Sequence, residues 1–103
     1  MLLVMGIVRI PDGTLDRVRP AMAKMLAGSR AEDGCLAYAY AQDVLDPTLI
    51  HVVERWRDRE ALAAHAHTPH MAEWRAAWPD LGIHGRDLRV YESDEGQPIQ
   101  GSR

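Results

Sequence analysis

Histidines near the middle of the chain are the side chains best suited to acid–base chemistry. His65, His67 and His70 occur within six positions, and an unperturbed histidine pKa of about 6.5 suits a base working near neutral pH. His65 follows Leu62 by three residues, so on a helix the two share a face and His65 points inward. His70 precedes Trp74 by four residues and shares its side of the next segment. We predict His65 and His70 as catalytic residues; the alternative is a core histidine and a residue of a helix cap.

A carboxylate and several aromatic rings are predicted to border the same cavity. Glu54 and Trp56 alternate along one strand and therefore share a face, where Glu54 can orient a histidine and Trp56 can form a wall. Tyr38 and Tyr40 can donate to a substrate oxygen, and Trp74 suits a flat ligand. We predict Glu54 as catalytic and the four aromatic residues as substrate-binding. Alternatively, the rings are packing residues and Glu54 forms a structural ion pair.

Sequence motifs for cofactors or metals are absent. The chain contains no G-x-G-x-x-G, G-x-x-x-x-G-K-[ST] or H-E-x-x-H motif. Its single cysteine, Cys35, excludes an intrachain disulfide and a thiolate metal site. The histidines have no carboxylate at ligand spacing, and a capping break at Thr68 and Pro69 interrupts them. We predict neither a cofactor nor a metal.

Hydrophobic alternation and helical spacing predict the elements that position these residues. Strands are predicted at 1–10, 35–43, 48–56 and 86–92. A helix is predicted from Asp16 or Arg17 to before Gly34. Two further helical segments begin after the capping residues Asp58 and Thr68, and Pro79 closes the second. The order βαββαβ predicts an α+β, ferredoxin-like domain with a four-stranded antiparallel sheet and helices on one face. We place this domain at residues 1–92 and a flexible tail at 93–103.

The first strand is apolar on both faces, so it must be covered twice. Helices cover one face, and the simplest cover for the other is the sheet of a second copy in a two-fold homodimer. A chain of 103 residues also buries too little surface alone to be very stable. The sequence therefore predicts a homodimer.

Charge and composition narrow the classes of partner. A net charge of −3 and a pI near 5.9 disfavour nucleic acid and anionic membranes, which require clustered basic residues. The apolar opening lacks a basic lead-in and is too short to span a bilayer. We expect a cytoplasmic protein that binds neither nucleic acid nor membranes.

Several short motifs in order resemble one known family. They are Glu32-Asp33-Gly34-Cys35-Leu36-Ala37-Tyr38, Glu54-Arg55-Trp56, Ala61-Leu62 with Ala64-His65, and Thr68-Pro69-His70. They resemble the E-x-G-C-x-x-Y, E-x-W, A-L-x-x-H and T-x-H pattern of antibiotic biosynthesis monooxygenase domains. The resemblance implies a dimeric α+β barrel that oxidises phenols, anthrones or quinols with dioxygen and no metal, haem or flavin. Its partners would be a small aromatic substrate, dioxygen and a second copy of the chain.

Two departures qualify what that resemblance implies. The sequence has no asparagine, so the asparagine that assists oxygen chemistry in some members has no counterpart here. The haem-degrading branch is disfavoured because His65 and Arg75 occupy the positions of its tryptophan and histidine. Two other functions stay open: a non-oxidative isomerase acting on a small signalling molecule, with His65 and Glu54 as acid and base, and a non-catalytic dimeric module that binds an aromatic ligand.

Overall fold

The chain forms four strands and three helices in a computed structural model that describes residues 1–101. In chain order these are β1 (Leu2–Arg9), α1 (Leu15–Arg30), β2 (Cys35–Gln42), β3 (Leu49–Trp56), α2 (Arg59–His65), α3 (Pro69–Leu81) and β4 (His84–Glu92). The order confirms the predicted ferredoxin-like α+β fold, with the second crossover divided into α2 and α3.

The strands form one antiparallel sheet in the order β2-β3-β1-β4. Its register places Val4, Glu54 and Tyr38 side by side across β1, β3 and β2, so these residues share the face that the helices cover. The core lies between that face and the helices, where Trp56 and Trp74 are among the largest buried side chains. A candidate site on this face is thus walled by the sheet on one side and by helices on the other.

Side-chain caps begin the two short helices at the predicted places. Asp58 accepts a hydrogen bond from the backbone N–H of Ala61 at 2.8 Å and so starts α2. Thr68 accepts from the backbone N–H of Met71 at 3.3 Å and starts α3, with Pro69 in the first helical position. Because the chain breaks between α2 and α3, His65, the last residue of α2, lies on a helix separate from α3.

One proline-based prediction of a helix end was wrong. The helix α3 does not close at Pro79 but runs to Leu81, because the backbone N–H groups of Gly82 and Ile83 both reach the carbonyl of Trp78 and complete the last turn. Helix α1 begins at Leu15, one residue before the earlier of the two predicted starts, and contains Pro20. A proline that removes one backbone bond is tolerated where the neighbouring bonds and the packed face persist.

The opposite face of the sheet is partly apolar and solvent-exposed in the single chain. Met5, Val53 and Tyr91 are 46%, 37% and 48% exposed there, beside the charged residues Asp87 and Arg89.

Within residues 1–101, no helix combines the length and the apolar character needed to cross a membrane. The predicted flexible tail, 93–103, starts where β4 ends; residues 102–103 lie outside the described residues, and the flexibility of the tail stays a prediction.

Candidate active site

A cavity of about 520 Å³ opens between the helix-covered face of the sheet and the helices α2 and α3. It forms beside β4, where the helices leave this face of the sheet partly uncovered, so that Val90 stays 48% exposed. Its size suits a small organic molecule. Apolar side chains and a few polar groups line it: Val4, Leu62, Met71, Trp78, Leu88, Val90, Tyr38, Tyr40, Glu54, His65, Arg75 and Arg86.

His65 is the histidine that the structure places in the cavity wall. It is the last residue of α2, is 5% exposed and lies with its ring centroid 4.6 Å from that of Trp56. Its Nε2 atom lies 3.3 Å from the hydroxyl of Tyr38, which lines the same cavity. The inward orientation predicted from its spacing to Leu62 is therefore present, and the structure brings a titratable nitrogen and a phenol together at the cavity.

Glu32 is a member of the site that sequence reasoning missed. It lies in the turn between α1 and β2, and its Oε2 atom is 2.6 Å from Nδ1 of His65 and 2.8 Å from Nε2 of His70. Helix packing brings this carboxylate against histidines 33 and 38 residues away in sequence. The sequence feature that could have identified Glu32 as a site residue was its position as the first residue of the E-x-G-C motif. His70 is not among the cavity-lining residues; it contacts Glu32 behind His65.

Glu32, His65 and His70 are also side chains of the types that bind divalent cations. Their ligating atoms all lie within 4.8 Å of one another, so the expectation that no carboxylate accompanies the histidines was wrong. The reason is that Glu32 is distant in sequence and close only after folding. In this structure Nδ1 of His65 and Nε2 of His70 both hydrogen-bond to Oε2 of Glu32.

Glu54 lies at the cavity wall with an indole as its hydrogen-bond partner. It is 4% exposed, and its Oε1 atom accepts from Nε1 of Trp56 at 2.9 Å. Among residues 1–101 it forms no ion pair, contrary to the alternative that Glu54 forms a structural ion pair. Burial raises the pKa of Glu54 above its ordinary value, and the Trp56 hydrogen bond opposes that shift.

Replacement Glu54→Gln is expected to stabilise the protein at neutral and alkaline pH. Because burial raises the pKa of Glu54 in the folded state, the stabilisation from its protonated form is present below the ordinary value of 4.5 and is lost as pH rises through the folded pKa. Above that pH the folded protein must bury a carboxylate, whereas Gln keeps the acceptor for Trp56. Thermal unfolding should show a midpoint a few degrees higher for Glu54→Gln at pH 8, with the difference vanishing near pH 4. A difference independent of pH would contradict this account.

An aromatic row runs from the cavity into the core. Tyr38 stacks on Tyr40 at 6.0 Å, Tyr40 meets Trp74 edge-on at 6.2 Å, and Trp74 meets Trp78 at 6.1 Å. Tyr38, Tyr40 and Trp78 line the cavity, whereas Trp74 and Trp56 are buried behind it. Burial also raises the pKa of both tyrosines, so they stay protonated and can donate hydrogen bonds. Contact of Trp56 and Trp74 with a substrate stays a prediction.

Arginines at the cavity were also not anticipated. Arg75 of α3 and Arg86 of β4 line it, and so does Arg89 of β4, which also borders the opposite face of the sheet. Arg75 donates to the carbonyl of Ala66 at 2.9 Å, and within residues 1–101 none of the three guanidinium groups has a carboxylate partner. No local pattern signals them, because they reach one cavity from a helix and a strand. They add positive charge to a cavity wall that also carries Glu54.

Comparison with known sequences identifies the family of this chain. A sequence profile described as antibiotic biosynthesis monooxygenase matches residues 1–77. The chain belongs to the antibiotic biosynthesis monooxygenase family. This confirms the family resemblance found in the motifs. Membership indicates a small-molecule, monooxygenase-like role for the protein.

Several known proteins are similar to this chain over most of its length. An uncharacterized protein from Synechocystis is 26% identical over 98 residues, which are 95% of this chain and 67% of that protein. A crystal structure from Deinococcus radiodurans, of a protein proposed to be an antibiotic biosynthesis monooxygenase, superposes with a TM-score of 0.87 at 23% identity and covers 96% of this chain and 98% of that one. A structure from Mycobacterium tuberculosis gives 0.72 at 28% identity, with 93% and 98% covered.

Proposed function

We propose that this protein is a cofactor-independent monooxygenase that oxidises a phenolic, quinol or anthrone-like small molecule with dioxygen. One observation carries the proposal: Nε2 of the buried His65 lies in the wall of an aromatic-lined cavity, 3.3 Å from the Tyr38 hydroxyl. A phenol bound there meets a proton acceptor and a hydrogen-bond donor together. Family membership supports monooxygenase chemistry.

The proposed reaction begins with a proton transfer. His65 takes the phenolic or enolic proton of the substrate at Nε2, which leaves an electron-rich anion. For an anthrone-like CH2 group, the anion adds dioxygen at that carbon and the O–O bond of the resulting peroxide then breaks. One oxygen atom stays as the new C=O, and the other leaves as water with the two hydrogens of the CH2 group. The substrate supplies all the electrons, so the protein contributes a base, a positive wall and a binding surface.

The lining of the cavity suits the anion that this step creates. Arg75 and Arg86 place positive charge at the cavity without a carboxylate partner among residues 1–101. Tyr38 and Tyr40 are held protonated by burial. Tyr40 can donate to a phenolate oxygen directly, and Tyr38 can do so once Nε2 of His65 has taken the substrate proton and no longer accepts from it. Positive charge and neutral donors lower the energy of the anion relative to the neutral substrate, which favours proton transfer to His65.

The experiment that tests the function is dioxygen uptake by protein treated with EDTA and dialysed, using a panel of anthrones and quinols. We expect consumption of one dioxygen per product molecule with at least one substrate. An isomerised product without dioxygen uptake would identify the non-oxidative alternative. Unchanged ligand recovered after prolonged aerobic incubation would identify a binding module.

We further propose a homodimer in which the open faces of two sheets pack together. The face that carries Met5, Val53 and Tyr91 is apolar at its centre, and Asp87 and Arg89 provide opposite charges that a two-fold arrangement can pair. Burial of this face in the partner would remove the exposed apolar area.

Sedimentation at micromolar concentration is expected to show a dimer. Replacement Val53→Glu places a charge at the centre of the proposed interface and should shift the equilibrium to monomer by at least about tenfold, since burying an unpaired charge costs several kcal/mol. Val44, which is 96% exposed in a loop, supplies the matched control Val44→Glu. A wild-type monomer, or equal dissociation of the two variants, would contradict the dimer.

A further inference from the structure

We propose that Glu32 is a positioning residue that sets the tautomer of His65, and that His70 and Gly28 hold Glu32 in place. This inference rests on the proposed function, because it explains how His65 keeps Nε2 unprotonated beside the Tyr38 hydroxyl, ready to take the proton of a substrate. Its structural part concerns where one proton resides on His65, which can be measured without any substrate.

The hydrogen bonds of His65 indicate which of its two ring nitrogens carries the proton. A carboxylate only accepts hydrogen bonds, so the 2.6 Å contact between Glu32 Oε2 and Nδ1 of His65 requires a proton on Nδ1. In neutral imidazole the other nitrogen, Nε2, then carries a lone pair and accepts from the Tyr38 hydroxyl at 3.3 Å. His65 and Tyr38, the partner of Nε2, both line the cavity, so the tautomer that Glu32 selects leaves the nitrogen beside Tyr38 free of a proton and able to act as a base.

The same contact stabilises His65 after it has taken a proton. An imidazolium at this position lies directly against the Glu32 carboxylate, and its positive charge is offset there. Both side chains are shielded from water, at 6% and 12% exposure, so the electrostatic interaction is weakly screened. Glu32 therefore contributes to orientation before the proton transfer and to charge stabilisation after it.

His70 fixes the carboxylate from the side remote from the cavity. Its Nε2 atom donates to the same Oε2 atom at 2.8 Å, and its side chain is 21% exposed. The backbone of Glu32 is held as well, since its N–H donates to Ser29 and its carbonyl accepts from Cys35, both at 3.1 Å. These contacts restrict the carboxylate to one position, so its bond to His65 is maintained.

A missing side chain in α1 makes room for His70. A Cβ atom at Gly28 would lie 2.6 Å from Cγ and 2.8 Å from Nδ1 of the His70 ring. A glycine within a helix is unfavourable relative to alanine, and here its absent side chain lets the imidazole lie against the helix backbone. Replacement Gly28→Ala should therefore displace His70 from Glu32 without removing any hydrogen-bonding group.

The decisive measurement is the protonation of the His65 ring nitrogens by ¹⁵N NMR at pH 8 in EDTA-treated protein. We expect the Nδ1–H tautomer in wild type and a gain of the Nε2–H tautomer in Glu32→Gln, since a carboxamide can donate to Nδ1. Glu32→Asp, which keeps the charge, should retain the wild-type tautomer. Glu60→Gln, an exposed change in the same helix as His65, is the matched control.

Kinetics separate a positioning role from a general structural one. With a substrate found in the uptake screen, Glu32→Gln should lower kcat by between tenfold and a hundredfold, about the cost typical of losing a group that orients a functional histidine, while KM changes little. Glu32→Asp should recover part of the loss. His70→Gln and Gly28→Ala should lower kcat less than Glu32→Gln does.

Failure of the inference and failure of the proposed function give different results. An Nε2–H tautomer in wild type, or the same tautomer in wild type and Glu32→Gln, overturns the role of Glu32 even if the protein consumes dioxygen. The expected tautomers with no oxidation of any substrate would retain the structural inference and overturn the monooxygenase proposal. Cobalt binding to wild type that Glu32→Gln abolishes, with activity dependent on the added metal, would overturn the positioning role and make the cluster a metal site.

Discussion

Replacement of His65 by Gln is expected to lower kcat by about 10²–10⁴-fold, the usual contribution of a general base. His65 lines the cavity with Nε2 beside the Tyr38 hydroxyl, and the Glu54 carboxylate nearby is already bonded to Trp56. A glutamine preserves much of the volume of the side chain but cannot take a proton at neutral pH. The loss should therefore fall on turnover rather than on the fold.

The measurement compares single-turnover rates and thermal midpoints of wild type, His65→Gln and His67→Gln. His67 is exposed, outside the cavity and only two residues away, so its variant controls for local disturbance. We expect near wild-type turnover for His67→Gln. A folded His65→Gln variant with normal turnover would remove His65 from the mechanism.

Replacement of Trp56 by Ala is expected to lower the free energy of unfolding by about 3–5 kcal/mol, the range for deleting a buried large aromatic side chain. Trp56 is fully buried at the end of β3, where its ring contacts His65 and Tyr38. Its indole N–H is also the hydrogen-bond donor to the buried Glu54. The variant would lose packing and leave a desolvated carboxylate without that partner. Urea unfolding measures the change.

A double-mutant cycle measures how much the charge of Glu54 strengthens its hydrogen bond to Trp56. Trp56→Phe keeps an aromatic ring but removes the indole N–H, so Glu54 loses the donor that stabilises its charge. In the Glu54→Gln background the same change should cost less, because a neutral amide is less expensive to leave unpaired than a carboxylate. Equal costs in both backgrounds at pH 8 would show that the indole N–H stabilises the carboxylate no more than it stabilises the amide.

The elements of this protein follow from local patterns that a single sequence displays. Alternation along β3 places Glu54 and Trp56 on one face because successive strand residues point to opposite sides. Asp58 and Thr68 start α2 and α3 because their side-chain oxygens satisfy free N–H groups at the helix ends. The inward orientation of His65 follows from its spacing to Leu62. Each of these inferences involves residues within a few positions of one another.

The prolines show the limit of such local rules. Pro79 lacks one backbone donor, which predicts the end of a helix, yet α3 continues because the following backbone groups bond to Trp78. Whether one lost hydrogen bond ends a helix depends on the bonds and packing around it. That balance is not visible in the residue itself.

The membership of the candidate site was decided by tertiary packing. Glu32 meets His65 and His70 because α1, α2 and α3 converge at one corner, and Arg75 and Arg86 reach one cavity from a helix and a strand. Trp56 and Trp74 lie behind the cavity wall rather than in it. Periodicity specifies which side of an element a residue occupies, whereas the distance between side chains far apart in sequence depends on how the elements pack. For that reason the sequence alone pointed to His65 and His70 as candidate catalytic residues, and only the folded chain showed the Glu32 carboxylate that contacts both.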